Sequence, residues 1–199
     1  MIHEKCPEIL KDKKIIALDI ESTGLNIMFN TIIELGVIEV INGEVKTEYS
    51  RLFGGGHSSM YLVRKVHHIK DLERKGKKTF KECAEKIASF LSDSILVTHN
   101  GNSFDIPMIQ QKLHEAGFEI KNFKSLDTLQ LIRKMRKDEN IDDDKKQSKR
   151  NTLGSLCKEF GLIYGGETGD KSHRGLEDAE ATLDLLFYLI NNNKIKLTI

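Results

Sequence analysis

The feature that most constrains the fold is a run of apolar residues that two acids interrupt near its end. Residues 14–24 read KIIALDIESTG, a pattern that predicts a β-strand ending at Gly24. Side chains alternate between the faces of a strand, so Asp19 and Glu21 are predicted to share one face with Ala17, about 6–7 Å apart. Two carboxylates in this arrangement favour a metal site. An edge strand with a solvated polar face is the alternative.

Composition excludes several classes of protein. The chain has 199 residues, 39% hydrophobic and 31% charged, which suits one domain with a sizeable core. Its formal net charge of +1 means that polyanion binding would depend on local patches or metal ions. Cys6, Cys83 and Cys157 are scattered, which argues against a disulfide framework and a structural zinc site. With no signal-peptide pattern and no membrane-spanning run, we expect a cytoplasmic protein without a membrane partner.

The remaining pattern predicts three antiparallel strands and then alternating helices and strands. Strands are predicted at residues 31–40, 44–53, 94–98 and 123–126, with a tight turn at Asn42-Gly43. Helices are predicted to begin near Thr79, Ile106, Asp127, Thr152 and Asp178. This order predicts an α/β fold with a mixed five-stranded sheet flanked by helices, in a single domain over residues 1–199. Residues 137–150 are almost free of apolar side chains, so we expect a flexible charged loop there.

Two further acids are predicted to lie near the first pair. Asp105 follows the predicted strand 94–98, and ligands of open α/β sheets bind at that end of the strands. A helix cap is the alternative role for Asp105. Asp178 flanks the apolar stripe of the last helix. His173 would not share a helix face with Asp178, so it is assigned to the preceding loop, as a substrate-facing residue or an exposed bystander.

Convergence of the four acids would require neutralisation. At about 5 Å, each like-charge pair costs roughly 3 kcal/mol at an effective dielectric constant of 20. Several such pairs would rival the stability of a whole domain, about 5–15 kcal/mol. Such a cluster persists if acids stay protonated or if divalent cations bind, and all-oxygen ligands favour Mg²⁺ or Mn²⁺. Two such ions suit in-line attack at phosphorus.

Three segments in this order resemble the motifs of the DEDD superfamily of 3′→5′ exonucleases, in its histidine-containing branch. They are DIESTGL from Asp19, HNGNSFD from His99 and HRGLED from His173. The superfamily includes the proofreading epsilon subunit of bacterial DNA polymerase III, ribonuclease T and the three-prime repair exonucleases. The resemblance covers residues 14–190. A tyrosine-type member would carry Tyr in place of Arg174, whereas here a histidine lies five residues before Asp178.

The resemblance implies a ribonuclease H-like fold and a metal-dependent 3′→5′ exonuclease that removes nucleoside 5′-monophosphates from DNA 3′ ends, in proofreading or repair. It implies two Mg²⁺ or Mn²⁺ ions bound by four residues, Asp19, Glu21, Asp105 and Asp178. His173 would accept the proton of the attacking water. The substrate-binding residues that it implies are Ser22, Thr23, Gly24, Leu25, His99 and Asn100.

Departures from the family pattern leave the subfamily open. The second motif has the longer spacing of the three-prime repair exonucleases, His68 stands in place of a glycine, and Gly175 in place of an alanine. An RNA 3′→5′ exonuclease, like ribonuclease T or oligoribonuclease, is one alternative function, and a non-catalytic polymerase-accessory module is another. Phe29 and Phe104 are each assigned either to base stacking or to the core. Association with a DNA polymerase, a homodimer, and a nuclear location in a eukaryote also stay open.

Overall fold

The computed structural model describes residues 2–59, 61–139, 151–165 and 174–197. Its centre is one five-stranded sheet in the order β3-β2-β1-β4-β5. The strands are β1 (Lys14–Ser22), β2 (Ile32–Ile41), β3 (Glu44–Leu52), β4 (Ile95–Thr98) and β5 (Lys124–Asp127). β1, β2 and β3 pair antiparallel, whereas β4 pairs parallel with both β1 and β5. The predicted mixed sheet is confirmed.

Seven α-helices occur in the described residues, in addition to a short 3-10 helix at Glu8–Leu10. They are α1 (Tyr61–His67), α2 (Asp71–Arg74), α3 (Phe80–Leu91), α4 (Asp105–Glu115), α5 (Thr128–Asp138), α6 (Leu153–Phe160) and α7 (Gly175–Asn191). The predicted starts of α3, α5 and α6 are confirmed, because the side chains of Thr79, Asp127 and Thr152 accept backbone N–H bonds there. None of the helices in the described part of the chain is long and apolar enough to cross a membrane.

Some predicted boundaries differ from the structure. The short helices α1 and α2 were not predicted, because Tyr61, Leu62 and Leu72 are largely exposed and give no buried stripe. The charged loop expected at residues 137–150 begins later than predicted, since α5 continues to Asp138. Residues 140–150 lie outside the described part of the chain.

The alternation of side chains along β1 assigns each residue to one face of the sheet. Ile16, Leu18 and Ile20 belong to the core under α3 and α4. Ile15 and Ala17 belong to the core that α7 covers with Ala179, Leu183, Leu186 and Phe187. Asp19 and Glu21 continue the second set, so their side chains project toward the face on which α7 packs. The predicted alternation is confirmed.

Two glycines bring the beginning of α7 against the sheet. Gly36 on β2 is the cross-strand partner of Asp19. A Cβ atom at Gly36 would lie 2.0 Å from the backbone carbon of Gly175, and one at Gly175 would lie 3.0 Å from the Asp19 carbonyl oxygen. Any side chain at position 36 would therefore displace the backbone at the start of α7. The first turn of α7 is therefore placed directly over the strand that carries the two acids.

This contact predicts the effect of Gly36→Ala. Its new methyl group would push the start of α7 off the sheet, so we expect the free energy of unfolding to fall by at least about 3 kcal/mol, the upper end for overpacking. Urea unfolding measures this loss. Gly76→Ala is the benchmark, since Gly76 has a φ of 74° but faces open space, and it should cost only about 1–2 kcal/mol. Equal losses in the two variants would contradict the close approach.

Candidate active site

Three carboxylates from two elements meet at the C-terminal end of the central strand β1. Asp19 and Glu21 come from β1 and Asp178 from the first turn of α7. One oxygen of each lies within 4.8 Å of the other two. Strand alternation brings the first two to one face, and the glycine contact between β2 and α7 brings the third over them. The structure thus brings together three of the four predicted acids as possible ligands of one ion.

The fourth acid, Asp105, lies beside this cluster and is bonded to the same strand. Its Oδ1 accepts the backbone N–H of Ile20 at 3.0 Å. The pairing of β1 with β4 ends at Ala17 and Val97, so Ile20 lies beyond the end of β4. Asp105 is the first residue of α4, and the cap position belongs to Phe104, which provides no side-chain cap. The structure therefore disfavours the helix-cap alternative for Asp105.

Burial and mutual repulsion raise the pKa values of these acids. The pKa of Asp19 is well above its ordinary value, because of burial first and then the charges of Asp105 and Asp178. Burial, Asp178 and Glu34 raise the pKa of Glu21 to about 9. Burial raises the pKa of Asp105 to about 7, although the hydrogen bond from the Ile20 amide has the opposite effect and lowers it. Asp19 and Glu21 are nevertheless only partly buried, so both keep some contact with solvent.

This donor set fits divalent cations. Among the described residues, the charges that act most strongly on Asp19 belong to the carboxylates of Asp105, Asp178, Glu21 and Glu34. At separations near 4.8 Å, each pair of charged carboxylates would cost roughly 3 kcal/mol. A hard cation removes this cost and accepts carboxylate oxygens as ligands, which is the preference of Mg²⁺ and Mn²⁺. The acidic cluster is therefore consistent with the divalent-metal use of DEDD exonucleases.

An ion pair between the buried Glu34 and the partly exposed Arg174, which the sequence did not predict, fixes the start of α7. Glu34 is fully buried and is the cross-strand partner of Glu21. It accepts bonds from Arg174 Nε at 3.2 Å and Nη2 at 2.9 Å, from the Gly175 N–H at 3.2 Å and from Ser50 Oγ at 2.7 Å. An acid inside the apolar run of β2 was the available signal. His173, the predicted base that precedes Arg174 in the chain, lies outside the described residues.

The predicted substrate-binding residues after β1 form a braced loop. Ser22 Oγ donates to the Gly24 carbonyl at 2.8 Å, and Thr23 Oγ1 bonds to the Asn30 side chain at 3.0 Å. The Thr23 N–H also donates to the Thr31 carbonyl at 3.0 Å. Leu25 is 79% exposed. The polar side chains are thus used within the loop, and the apolar one is available to a ligand.

His99 and Asn100 line a cleft that also includes Asp19 and Asp178. The cleft measures about 950 Å³, and its walls include Asp19, His99, Asn100, Arg133, Lys158, Tyr164 and Asp178. Both ring nitrogens of His99 are bonded within the protein, one to Thr128 Oγ1 at 2.8 Å and one to the Asn151 carbonyl at 2.9 Å. The backbone N–H of Asn100 donates to Asp127. The His99 ring therefore joins β4 to α5 and to the residues before α6.

Tyr164 also belongs to this cleft and was not predicted. Its hydroxyl is hydrogen-bonded to Asp178. Burial and the charge of Asp178 raise the Tyr164 pKa above its ordinary value. The hydroxyl therefore stays protonated at neutral pH and donates to the carboxylate. No motif marks this tyrosine, because it lies on the loop after α6.

A family comparison identifies the class of enzyme to which this arrangement belongs. The sequence profile of the RNase T family, described as Exonuclease, matches residues 16–186. The chain belongs to the RNase T exonuclease family. Its predicted membership of the DEDD-type exonucleases, with similarity to DNA polymerase III proofreading, is confirmed. The matched region of this exonuclease domain includes all four acids.

Curated relatives of this exonuclease domain include much longer proteins named DNA polymerase III PolC-type. The one from Listeria welshimeri is 30% identical over 185 residues, which is 93% of this chain and 12% of the polymerase. The one from Streptococcus suis is 27% identical over 190 residues, 96% of this chain and 12% of the polymerase. The chain thus spans about an eighth of the length of these relatives, and the match does not transfer their polymerase activity to it.

Solved structures show the same fold. The zinc-bound form of the E. coli ExoI–ssDNA complex has a TM-score of 0.76 and 14% identity, and it covers 91% of this chain and 41% of that one. Exonuclease X in complex with 5′ overhanging duplex DNA has a TM-score of 0.65 and 20% identity, over 92% and 94% of the two chains. These similarities confirm the predicted ribonuclease H-like architecture of this exonuclease.

The raised pKa values predict how stability depends on pH and metal. In the folded protein the pKa of Asp105 is about 7, compared with an ordinary value of 3.8. The pKa of Glu21 is about 9, compared with an ordinary value of 4.5. The metal-free protein should therefore be stabilised at low pH and lose this stability as pH rises through 7 and 9. The melting temperature should fall by about 2–4 °C for each kcal/mol by which the free energy of unfolding decreases.

Saturating Mg²⁺ should reduce this fall, because the ions replace the protons. Glu21→Gln should flatten the metal-free profile, whereas Glu48→Gln on β3 should leave it unchanged. Calorimetry across this pH range makes the measurement. A metal-free melting temperature that stays constant or rises between pH 7 and 9 would contradict the assigned pKa shifts.

Proposed function

We propose that this protein is a 3′→5′ exodeoxyribonuclease that releases nucleoside 5′-monophosphates from DNA 3′ ends with two Mg²⁺ or Mn²⁺ ions. The observation that carries the proposal is the cluster formed by Asp19, Glu21 and Asp178, whose oxygens lie within 4.8 Å of one another. Asp19 and Asp178 also line the cleft of about 950 Å³, which is large enough for a terminal nucleotide. The relatives named DNA polymerase III favour DNA as the substrate.

The carboxylates have distinct roles in this proposal. Asp19 and Asp178 would hold the ion that activates the attacking water, and Glu21 and Asp105 would complete a two-ion site. When bound, the ions neutralise the acids, polarise the scissile phosphate and favour deprotonation of the attacking water. Asp105 keeps its place through the Ile20 amide, and Asp178 through the docking of α7 on Gly36.

His173 is the proposed general base. An imidazole with an ordinary pKa near 6.5 accepts a proton from water close to neutral pH. This role rests on the motif position of His173, next to Arg174. Arg174 itself is fixed by its bonds to the buried carboxylate of Glu34, which anchors the chain at the beginning of α7.

The substrate-binding assignment rests on the braced loop and the cleft. The backbone at Ser22, Thr23 and Gly24 lies next to Glu21 in the chain, and Leu25 exposes an apolar side chain beyond it. We assign these residues to the terminal nucleotide. Asn100 belongs to the same cleft, and His99 supports its wall. Arg133 and Lys158, also on the cleft wall, are assigned to backbone phosphates.

Phe29 is assigned to base stacking, whereas Phe104 is assigned to the core against which it packs. Phe29 is 80% exposed. The Asn26 side chain accepts the Met28 and Phe29 N–H groups at 3.0 and 3.3 Å, which fixes the turn that presents the ring. A fixed, exposed aromatic ring in the loop that follows β1 suits an unpaired base.

The wider setting is also a proposal. We assign residues 1–199 to one exonuclease domain, which acts in the cytoplasm and associates with a DNA polymerase. The polymerase relatives and the free state of Cys6, Cys83 and Cys157 support this setting. RNA cleavage and homodimer formation are the competing expectations. Parallel digestion of matched DNA and RNA strands and sedimentation of the purified protein test them directly.

We expect DNA cleavage to be lost when either Asp19 or Asp178 is replaced. Asp19→Asn and Asp178→Asn should each lower the rate at least about 100-fold, because each removes a charged metal ligand. The exposed Asp12→Asn is the matched control and should keep the wild-type rate. A time course on 5′-labelled DNA with Mg²⁺ should show shortening one nucleotide at a time, and EDTA should stop it. Wild-type rates in either ligand variant, or ladders from 3′-labelled DNA that imply the opposite direction, would refute the proposal.

Removing the exposed ring predicts weaker substrate binding. Phe29→Ala should raise KM for single-stranded DNA by about 5–150-fold, the equivalent of about 1–3 kcal/mol of base stacking, with little change in kcat. Phe118→Ala, which removes a partly exposed ring after the far end of α4, is the matched control. Steady-state kinetics on oligonucleotides makes the comparison. An unchanged KM in Phe29→Ala would remove this residue from the binding surface.

A further inference from the structure

The loop after α6 places one aromatic hydroxyl on a carboxylate of the acidic cluster. This hydroxyl belongs to Tyr164, which lines the same cleft as Asp19 and Asp178, and its hydrogen-bond partner is Asp178. Asp19 acts electrostatically on the same hydroxyl, so the group lies at the border of the cluster. Two features therefore fix the Asp178 side chain: the helix that carries it, and the hydrogen bond from the Tyr164 hydroxyl on the side of the cleft.

The ring of Tyr164 is held by packing that does not involve the acids. α6 ends at Gly161, which adopts a left-handed φ of 70°, and the Leu162 N–H turns back to the Cys157 carbonyl at 2.8 Å. This turn lays the Tyr164 ring over Gly154, where a Cβ atom would lie only 2.8 Å from the ring. The ring also packs on the apolar cluster that α5, α6 and α7 share.

We propose that Tyr164 is a positioning residue of the metal site, which orients the Asp178 carboxylate toward Asp19 and Glu21 by donating a hydrogen bond to it. The inference rests on the proposed function, since it requires Asp178 to be a metal ligand. Without the hydroxyl, repulsion from the other two carboxylates favours rotation of Asp178 out of the cluster. Hydrogen bonds to metal-ligating carboxylates typically change metal affinity or activity by 10–100-fold.

Tyr164→Phe removes the hydroxyl and keeps the ring. Calorimetric titration should show Mn²⁺ binding about 10–100-fold weaker than in the wild type. The Mg²⁺ concentration for half-maximal cleavage should rise by a similar factor, while KM for DNA at saturating Mg²⁺ and the melting temperature of the metal-free protein should stay unchanged. A purely structural role would lower that melting temperature. Tyr188→Phe, whose ring packs on Phe160, is the matched control and should bind Mn²⁺ normally.

Tb³⁺ luminescence provides a second readout that is independent of cleavage. The chain has four tyrosines and no tryptophan. Sensitised emission from a bound Tb³⁺ under ultraviolet excitation therefore reports a tyrosine close to the ion. Wild type and Tyr188→Phe should give emission that Mg²⁺ displaces, and Tyr164→Phe should lose most of it. Gly154→Ala, which displaces the ring and keeps the hydroxyl, should weaken Mn²⁺ binding as Tyr164→Phe does.

The outcomes separate this inference from the function on which it rests. Equal Mn²⁺ affinity in wild type and Tyr164→Phe overturns the role of Tyr164, while metal-dependent cleavage that Asp178→Asn abolishes would still support the nuclease. Mn²⁺ binding that Asp178→Asn leaves unchanged overturns both. Weakened binding in Tyr164→Phe with the normal metal-free melting temperature supports the positioning role.

Discussion

The structure depends on holding like charges together. Asp19, Glu21 and Asp178 keep oxygens within 4.8 Å of one another, and Asp105 lies beside them. Their repulsion amounts to several kcal/mol when all are charged, which is comparable with the stability of a domain. The raised pKa values of Asp19, Glu21 and Asp105 express this cost, and protons or divalent ions relieve it. The cluster therefore persists only in a fold that prevents the acids from separating.

That fold opposes separation at the start of α7. The Gly36–Gly175 contact presses the helix onto the sheet, and the apolar face of α7 covers β1. Glu34 joins the two elements through Arg174 and the Gly175 N–H. Solvent weakens this pair because Arg174 is 36% exposed, but Glu34 is buried and would lose its counter-charge if the helix moved away. The pair therefore opposes detachment of the helix. Packing and the Glu34–Arg174 ion pair therefore hold Asp178 over the strand that carries Asp19 and Glu21.

Local patterns predicted much of this arrangement. The alternation in residues 14–24 placed Asp19 and Glu21 on one face, and Asn42-Gly43 predicted a turn that the structure forms with φ values of 54° and 78°. The bonds that join distant segments were not predictable. Glu34 and Arg174 are 140 residues apart, and Tyr164 meets Asp178 only through the turn at Gly161. Periodicity describes one element at a time, so it gives the face of each acid and not its long-range partners.

The central claim is that these four acids form one binding site for divalent ions. Anomalous diffraction from crystals soaked in Mn²⁺ tests it most directly, because it locates the ions independently of any assay. We expect a peak about 2.1 Å from oxygens of Asp19, Glu21 and Asp178, with a second ion bound on the Asp105 side. Saturated crystals in which Mn²⁺ binds elsewhere, or in which Asp178 stays turned away from the peak, would contradict the account.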